Sequence, residues 1–323
     1  MPDLAIPFQL SDPGVPLGLD PAMREYLLCY NFPQPPAFRY GYTRFESQQT
    51  RDRVLLFGQA WLPEHALGTI FLQHGYGEHS GNFPLLVQNL LQANFAVAAM
   101  DLRGHGLSQG PRAHLSDPNF YAEDLQQFIS GVVPVLLPNK PIFLWAHSLG
   151  ALVALQVILQ NKPSIKSAVL TSPLLGFPPL VGAQKVLASL VPILAKLVPS
   201  FPIAHGIQDR FLSHDQKYLA VREHDPLILQ NTTPLWFQSI SSAVSRIQES
   251  GKAFQNLCPT LLLLAGDEHV TNLTESRKFA FQAYSSSRHK VIEFPGYYHE
   301  LEKELELRER VVAESIAWLR MHV

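Results

Sequence analysis

The 323-residue chain is long enough for a large domain, and its 46% hydrophobic and 16% charged residues exclude a disordered protein. A formal net charge of −2 excludes the strongly basic surface that is typical of nucleic-acid-binding proteins. Two cysteines, Cys29 and Cys258, are too few for a disulfide framework and indicate free thiols in a reducing compartment.

The beginning of the chain predicts a lead-in followed by a hairpin. Residues 1–40 are rich in proline and are interpreted as an irregular segment. Residues 41–46 and 54–62 alternate between polar and apolar side chains, which predicts an antiparallel hairpin at a sheet edge.

From Thr69 onward, short apolar runs alternate with stretches of helical periodicity. The runs TIFLQHG, FAVAAMDLRGHG, PIFLWAHS and SAVLTSP predict strands, and the pattern returns in PTLLLLAG and HKVIEFPG. Runs buried on both faces are typical of parallel strands covered by helices, so we expect a mostly parallel, doubly wound α/β sheet.

The alternation is interrupted between residues 174 and 250, where helix signals and prolines occur without a clear strand. The simplest division is a lead-in over 1–40, an α/β core over 41–173 and 251–323, and a helical insertion over 174–250. Within the insertion, residues 180–198 carry a largely apolar stripe that predicts a helix. Pro192 should kink or divide that helix.

Neither a secretory signal nor a membrane span is predicted. The N-terminus has no basic segment followed by an apolar run. The most apolar window, 142–160, is interpreted as a strand, a tight turn and a buried helix, because His147, Ser148 and Gly150 interrupt it. We expect a cytoplasmic protein, with a peripheral contact on the inner membrane face as the hypothesis left open.

The sequence Ala146-His147-Ser148-Leu149-Gly150 marks the strongest candidate site. It follows a predicted strand and opens a predicted helix, which is the setting of a nucleophile elbow, where a sharp turn exposes a serine hydroxyl. Small residues are needed beside the serine because strand and helix nearly touch there. The usual G-x-S-x-G pattern departs here only at Ala146.

A serine hydroxyl is a weak nucleophile and needs an adjacent base, itself oriented by an acid. His299 occupies the expected place for the base, in a loop after the last predicted strand. The acid should follow the strand at 260–265, where both Asp267 and Glu268 are available. Glu268 is favoured because Val270 then lies two residues after the acid, and Asp267 remains the alternative.

An acyl-transfer site also needs donors for the developing oxyanion. Leu149 N–H, directly after the serine, is one candidate. Tyr76 N–H, in the loop after an early strand, is the other. We expect Glu78, His79 and Ser80 to fix this loop by hydrogen bonds. No dinucleotide fingerprint or metal-binding motif is present in the sequence, so neither a cofactor nor a metal is expected.

Seven segments together resemble one known family. In order they are HGYGEHSGNF, MDLRGHGLSQGPR, AHSLGA, SPLLG, REHDPL, LLLLAGDE and PGYYHEL, spread over about residues 40–320. They are similar to the monoacylglycerol lipase and bacterial lysophospholipase branch of the α/β-hydrolases, within the serine aminopeptidase S33-like hydrolases.

The resemblance implies an α/β-hydrolase fold, a helical cap over an acyl site, a Ser–acid–His triad and no cofactor. Carried over to this chain, the triad positions fall on Ser148, the Asp267/Glu268 position and His299. The family's oxyanion donors fall on Tyr76 and Leu149. Two features depart from the family pattern: Ala146 and the unresolved acid.

The expected activity is hydrolysis of the carboxylic ester of a single-chain lipid, a lysophospholipid or a monoacylglycerol. The apolar insertion is consistent with such an amphiphilic substrate and with a membrane contact through the cap. Two alternatives remain: an acyltransferase or thioesterase that uses the same triad, and a non-catalytic lipid-binding module. The sequence fixes neither the head group nor the oligomeric state.

Overall fold

The computed structural model describes residues 21–32, 38–46, 53–160, 164–179 and 183–323. Of the predicted lead-in, residues 1–20 and 33–37 lie outside these ranges. The described part contains helix α1 (Pro21–Cys29), so the expectation of irregular chain is wrong there. Met23 and Leu27 of α1 are fully buried in a core cluster that also holds Phe57, and this tertiary contact stabilises the helix.

Eight strands form the main sheet, and their sequence positions agree with the predicted apolar runs. The strands are β1 (Phe38–Glu46), β2 (Arg53–Trp61), β3 (Thr69–Gln73), β4 (Ala96–Met100), β5 (Ile142–His147), β6 (Ala168–Thr171), β9 (Thr260–Ala265) and β10 (Lys290–Phe294). Nearly every residue of the strands β3, β4, β5, β6 and β9 is buried, as expected for strands covered on both faces.

The strand order is β1-β2-β4-β3-β5-β6-β9-β10. Strand β2 runs antiparallel to β1 and β4, whereas the other neighbours are parallel. The predicted edge hairpin and the mostly parallel sheet are therefore confirmed. The carboxyl ends of the parallel strands share one edge of the sheet, where ligands bind in open α/β folds.

Helices cover both faces of the sheet, which confirms the doubly wound architecture. One core cluster holds buried side chains of four longer helices and of one short helix, and the other holds those of α1 and two more. On the first face lie α3 (Asn119–Gln127), α5 (Ser148–Leu159), α8 (Pro234–Glu249) and α9 (Leu273–Ala283). On the second lie α2 (Pro84–Gln92) and α10 (Arg308–Arg320). A π-helical segment over 128–132 joins α3 to the short α4 (Val133–Leu136).

The region between β6 and β9 contains α6 (Ala183–Leu197), the short α7 (Gln216–Glu223) and α8. Helix α6 continues through Pro192, so of the expected kink or division the division is wrong. Its residues Val191 and Ala195 are buried, and α6 packs on α8, which offsets the hydrogen bond that proline removes. Residues 180–182 of the predicted helix lie outside the described residues.

Two short strands also occur in this region, although none was expected. Strand β7 (Ile203–Ala204) pairs antiparallel with β8 (Asn231–Thr232). Two residues are too few to produce an alternating pattern, which is why the sequence carried no signal for them. Helix α8 begins after the N-cap Thr233 with Pro234 at its first position, and its buried face joins the core beside α5.

Candidate active site

Ser148 lies at a sharp turn between β5 and α5. Its φ of +51° is in the left-handed region, which is uncommon for a non-glycine residue and is the kind of strain found at functional sites. Gly150 makes this turn possible. A Cβ on Gly150 would lie 2.6 Å from the carbonyl oxygen of Gln73 and closer still to that of His74, so β3 leaves no room for a side chain. The strand–turn–helix setting expected of the elbow is confirmed.

Three of the proposed site residues form one hydrogen-bonded chain. His299 Nε2 lies 2.9 Å from Ser148 Oγ, and His299 Nδ1 lies 2.7 Å from Glu268 Oε2. Because an ionised carboxylate only accepts hydrogen bonds, Nδ1 carries the proton and Nε2 accepts from the serine hydroxyl. All three side chains are almost completely removed from solvent.

Glu268 and Asp267 have different surroundings although they are adjacent. The second oxygen of Glu268 accepts hydrogen bonds from the backbone N–H groups of Val270 and Thr271, at 2.7 and 3.0 Å. Asp267 instead pairs with His269 at 2.9 Å, and half of its side chain is exposed. The structure therefore brings Glu268 to His299 and leaves Asp267 outside the chain.

The charges of this pair reinforce each other. Burial by itself would lower the pKa of His299, but the Glu268 carboxylate outweighs it, so the pKa of His299 is raised above 6.5. Burial likewise acts to raise the pKa of Glu268, whereas His299 and the two backbone N–H groups lower it below 4.5 overall. The acid is thus held ionised, in the state needed to stabilise an imidazolium.

The loop after β3 is fixed by its own polar side chains, as the sequence predicted. Glu78 Oε1 accepts from Gly75 N–H at 2.6 Å. His79 Nε2 lies 2.9 Å from Asp225 Oδ2, and Ser80 N–H donates to Asp101 Oδ1 at 2.7 Å. Tyr76, the expected oxyanion donor, follows Gly75 directly and its ring packs 4.3 Å from that of Trp236. Leu149 is the second residue of α5.

One neighbour of the base was not predicted from the sequence. The ring of His147 lies 4.8 Å from that of His299, and its Nδ1 is 2.9 Å from Thr171 Oγ1. Burial, followed by the nearby His299, keeps the pKa of His147 well below 6.5, so this ring is neutral. Its position inside the elbow motif, directly before Ser148, was the signal available in the sequence.

The loop that carries His299 is anchored to the region between β6 and β9. His299 N–H donates to Phe211 carbonyl oxygen at 3.4 Å, and Glu300 N–H donates to Leu212 carbonyl oxygen at 2.8 Å. Ser172 Oγ donates to the carbonyl oxygen of His299 at 2.6 Å. These contacts orient the imidazole from both sides of the sheet edge.

Ser148 and Glu268 line a cavity of about 520 Å³ between the sheet edge and the insertion. Most of its wall is apolar. The apolar lining residues are Leu174, Phe177, Pro178, Pro179, Ile207, Phe211, Trp236, Phe237 and Val270. Among the described residues that line it there is no lysine or arginine. Such a cavity suits a neutral, largely hydrocarbon ligand.

The family model for the serine aminopeptidase S33 hydrolases matches residues 64–306, which is most of the chain and includes every residue of the hydrogen-bonded chain above. The chain belongs to this family. This S33 assignment agrees with the resemblance that the sequence motifs indicated. The predicted α/β-hydrolase fold is confirmed as well.

Individual relatives of this S33 hydrolase agree with that assignment. It is 31% identical over 274 residues to the monoglyceride lipase of Rattus norvegicus, covering 83% of this chain and 88% of the relative. It is 25% identical over 264 residues to a phospholipase of Bacillus subtilis, covering 81% and 99%. The crystal structure of a monoacylglycerol lipase from Paleococcus ferrophilus superposes with a TM-score of 0.72 at 26% identity, covering 83% and 99%.

In the described part of this S33 hydrolase, no helix has both the length and the apolar character needed to cross a membrane. The apolar window 142–160 falls on β5 and the twelve-residue α5, in agreement with the interpretation as strand, turn and helix.

Proposed function

We propose that this S33 hydrolase cleaves the carboxylic ester of a single-chain lipid through an acyl-enzyme on Ser148. The observation that carries the proposal is the chain from Ser148 through His299 to Glu268, which opens on an apolar cavity. A serine with a hydrogen-bonded base and an ionised acid is the arrangement that makes a hydroxyl nucleophilic.

The proposed reaction has two halves. Ser148 Oγ attacks the ester carbonyl while His299 Nε2 takes the hydroxyl proton, and Glu268 stabilises the imidazolium. The C–O bond to the alcohol then breaks, and His299 returns its proton to the departing oxygen. Water next attacks the acyl-enzyme with His299 again as base, which releases the fatty acid and restores Ser148.

For the oxyanion we propose the backbone N–H groups of Leu149 and Tyr76. Leu149 lies in the first turn of α5, where N–H groups have no acceptor within the helix. Tyr76 lines the same cavity as Ser148. In the same loop, the N–H of Gly75 is already bound by Glu78, which leaves the next amide as the candidate donor.

Of the two candidate substrates, we propose a monoacylglycerol ahead of a lysophospholipid. Relatives named monoglyceride lipase and phospholipase are similar to this chain over comparable lengths. The cavity favours the neutral ester, because its described lining offers no lysine or arginine to pair with a phosphate. The aromatic pair Phe177 and Phe237, with ring centroids 4.5 Å apart, would contact the acyl chain.

We also propose that the insertion over residues 174–250 forms the cap through the part that precedes α8, since α8 itself packs into the core, and that α6 rests on a membrane surface. Leu190, Ile193 and Leu197 share one face of α6 and are 43, 53 and 74% exposed. Val191 and Ala195 on the other side are buried. An amphipathic helix with an outward apolar face beside a lipid cavity is suited to an interfacial position.

The experiment that tests the proposed function combines active-site labelling with product analysis. Wild type should react with a fluorophosphonate probe, and Ser148→Ala and His299→Ala should not. Wild type should release more oleic acid from monoolein than from lysophosphatidylcholine. A folded wild type that neither labels nor releases acid from either lipid would overturn the proposal, and faster release from lysophosphatidylcholine would overturn the substrate preference.

A further inference from the structure

Three carboxyl groups that the proposed reaction does not use are buried close to His299. Glu78, Glu300 and Glu302 are each at most 4% exposed. We refer to these three residues together as the acid cluster. They interact electrostatically with one another, and Glu300 and Glu302 also act on His299. Burying three carboxyl groups beside a proposed general base costs folding free energy, which other interactions must offset.

The acid cluster is short of compensating charge. Lys303 Nζ lies 3.8 Å from Glu302 Oε1 and donates to Asn82 carbonyl oxygen at 2.6 Å. Arg222 is the second buried cation, and it is shared with Asp209 at 3.3 Å. A third cation of the described chain, Arg308, lines a neighbouring cavity but is only partly buried, so full ionisation of the acid cluster would bury more negative than positive charge.

Hydrogen bonding within the acid cluster is also incomplete. Among the described residues, neither oxygen of Glu302 has a hydrogen-bond partner, and Glu78 Oε2 has none. Burial is the main reason that the pKa of Glu302 rises to about 7 and that of Glu78 to about 8. These two groups therefore change charge in the pH range in which the enzyme would work.

Glu304 provides the contrast, because it is equally buried and only two residues away. Its oxygens accept hydrogen bonds from Tyr298 N–H and His214 N–H, both at 3.1 Å, and contact His214 Nδ1 at 2.9 Å. Glu304 thus ties two loops together. Glu302 holds no such structural contact, so its burial has no comparable structural explanation.

A second cavity lies next to Glu302, apart from the cavity that Ser148 lines. Glu302 lines this second cavity, of about 180 Å³, together with Lys303, Tyr218 and Arg222. Ser148 is not part of the lining of this cavity, whose rim includes the exposed side chain of Val221. The surroundings of Glu302 are therefore separate from the cavity proposed for the acyl chain.

We propose that Glu302 is a positioning residue that acts through His299: its carboxylate stabilises the imidazolium formed when His299 takes the proton of Ser148. This inference rests on the proposed function, because it assigns His299 the role of base. The titratable and charged groups that face Glu302 are His299, Lys303, Glu300, Glu78, Tyr218, Arg222, Asp215 and Arg308. The Glu302 carboxylate favours proton uptake by His299, and the His299 imidazolium favours proton loss from Glu302, so the two groups titrate as a coupled pair.

The test compares Glu302→Gln with Glu306→Gln, a matched change at an exposed carboxylate on the same loop. The acidic limb of kcat/KM for p-nitrophenyl butyrate should move to lower pH by about 0.5–1 unit in Glu302→Gln, the size expected for one partly screened buried charge. Glu306→Gln should leave the limb in place. An unmoved limb in folded Glu302→Gln would overturn the inference.

A second measurement needs neither turnover nor a stable Glu302 variant. In Ser148→Ala protein, the imidazole NMR signals of His299 should follow a titration broader than that of a single independent group. A curve that fits one independent ionisation would overturn the coupling. Failure of the proposed function would appear separately, as a wild type that ignores the fluorophosphonate probe while this titration is still measurable.

Discussion

Glu268 Oε2 lies 2.7 Å from His299 Nδ1, although the sequence also offered Asp267 as an alternative carboxylate one residue earlier. The difference arises in the loop after β9, where two backbone N–H groups bind Glu268 and turn its carboxylate inward. Asp267 points to solvent and to His269. The two adjacent carboxylates thus contact different histidines, Glu268 the buried His299 and Asp267 the exposed His269.

This separation predicts unequal effects of two amide substitutions. Glu268→Gln should lower kcat by about 10³–10⁴-fold, because the amide no longer stabilises the imidazolium or fixes its tautomer. Asp267→Asn should change kcat by less than about threefold, since it removes only an exposed ion pair. Ester hydrolysis by both purified variants measures the contrast, and a large loss in Asp267→Asn would contradict the assignment of the acid.

The raised pKa of His299 predicts the acidic side of the pH profile. The base acts only when neutral, so kcat/KM should fall as the pH drops through a midpoint above 6.5. Glu268 stays ionised throughout this range, because its pKa lies below 4.5. A pH series of ester hydrolysis measures the midpoint.

The same pair has a consequence for stability. A histidine whose pKa is raised on folding contributes stability below its unfolded value of about 6.5, and this contribution is lost as the pH rises through the folded value.

A midpoint of the rate profile well below 6.5 would show that burial, and not Glu268, dominates the pKa of His299.

Close packing at the elbow predicts that one glycine tolerates no side chain. Gly150→Ala should destabilise the protein by about 2–4 kcal/mol and lower Tm by roughly 5–10 °C, because the new methyl group would meet backbone carbonyls of β3. Gly131→Ala is the matched control. Nothing lies within 4 Å of a Cβ at Gly131, so its Tm should be unchanged or slightly higher. Thermal unfolding of the two variants gives the comparison.

The exposed face of α6 predicts a measurable membrane affinity. Leu197→Glu should weaken binding to phosphatidylcholine vesicles by about tenfold, the loss expected for one buried leucine side chain. Phe281→Glu on α9 is the control, since Phe281 is 83% exposed but lies in the core domain away from α6. Vesicle co-sedimentation measures both, and equal binding by wild type and Leu197→Glu would exclude α6 as the contact.

Much of the architecture was accessible from the sequence because buried strands and helices leave periodic signals. In the main sheet, the strands β3, β4, β5, β6, β9 and β10 follow apolar runs, and the elbow at Ser148 is defined by small residues that the packing requires. The choice between Glu268 and Asp267 depended on the direction of two side chains in a loop, which a residue pattern indicates only weakly. The continuity of α6 through Pro192 depended on packing against α8, a tertiary contact.

The burial of the acid cluster was not predicted from the sequence. Glu300 and Glu302 belong to a charged segment that, from the sequence, is typical of a solvated helix start. Their burial results from the approach of α7 and the loop after β3, which are distant in the sequence. From residue 300 to residue 304, glutamate alternates with other residues. This pattern alone does not predict that the glutamates are buried, because their burial depends on the tertiary structure.

The backbone that binds Glu268 also forms part of the substrate cavity. Val270 and Thr271 donate their N–H groups to Glu268 and also line the cavity that Ser148 lines. A substitution at either residue would therefore alter the cavity wall and the loop that holds the carboxylate at the same time. The opposite wall, formed by Phe177 and Phe237, makes no such contact with the acid in the described structure. A substitution at Phe177 or Phe237 would therefore reshape the cavity and leave the hydrogen bonds of Glu268 in place.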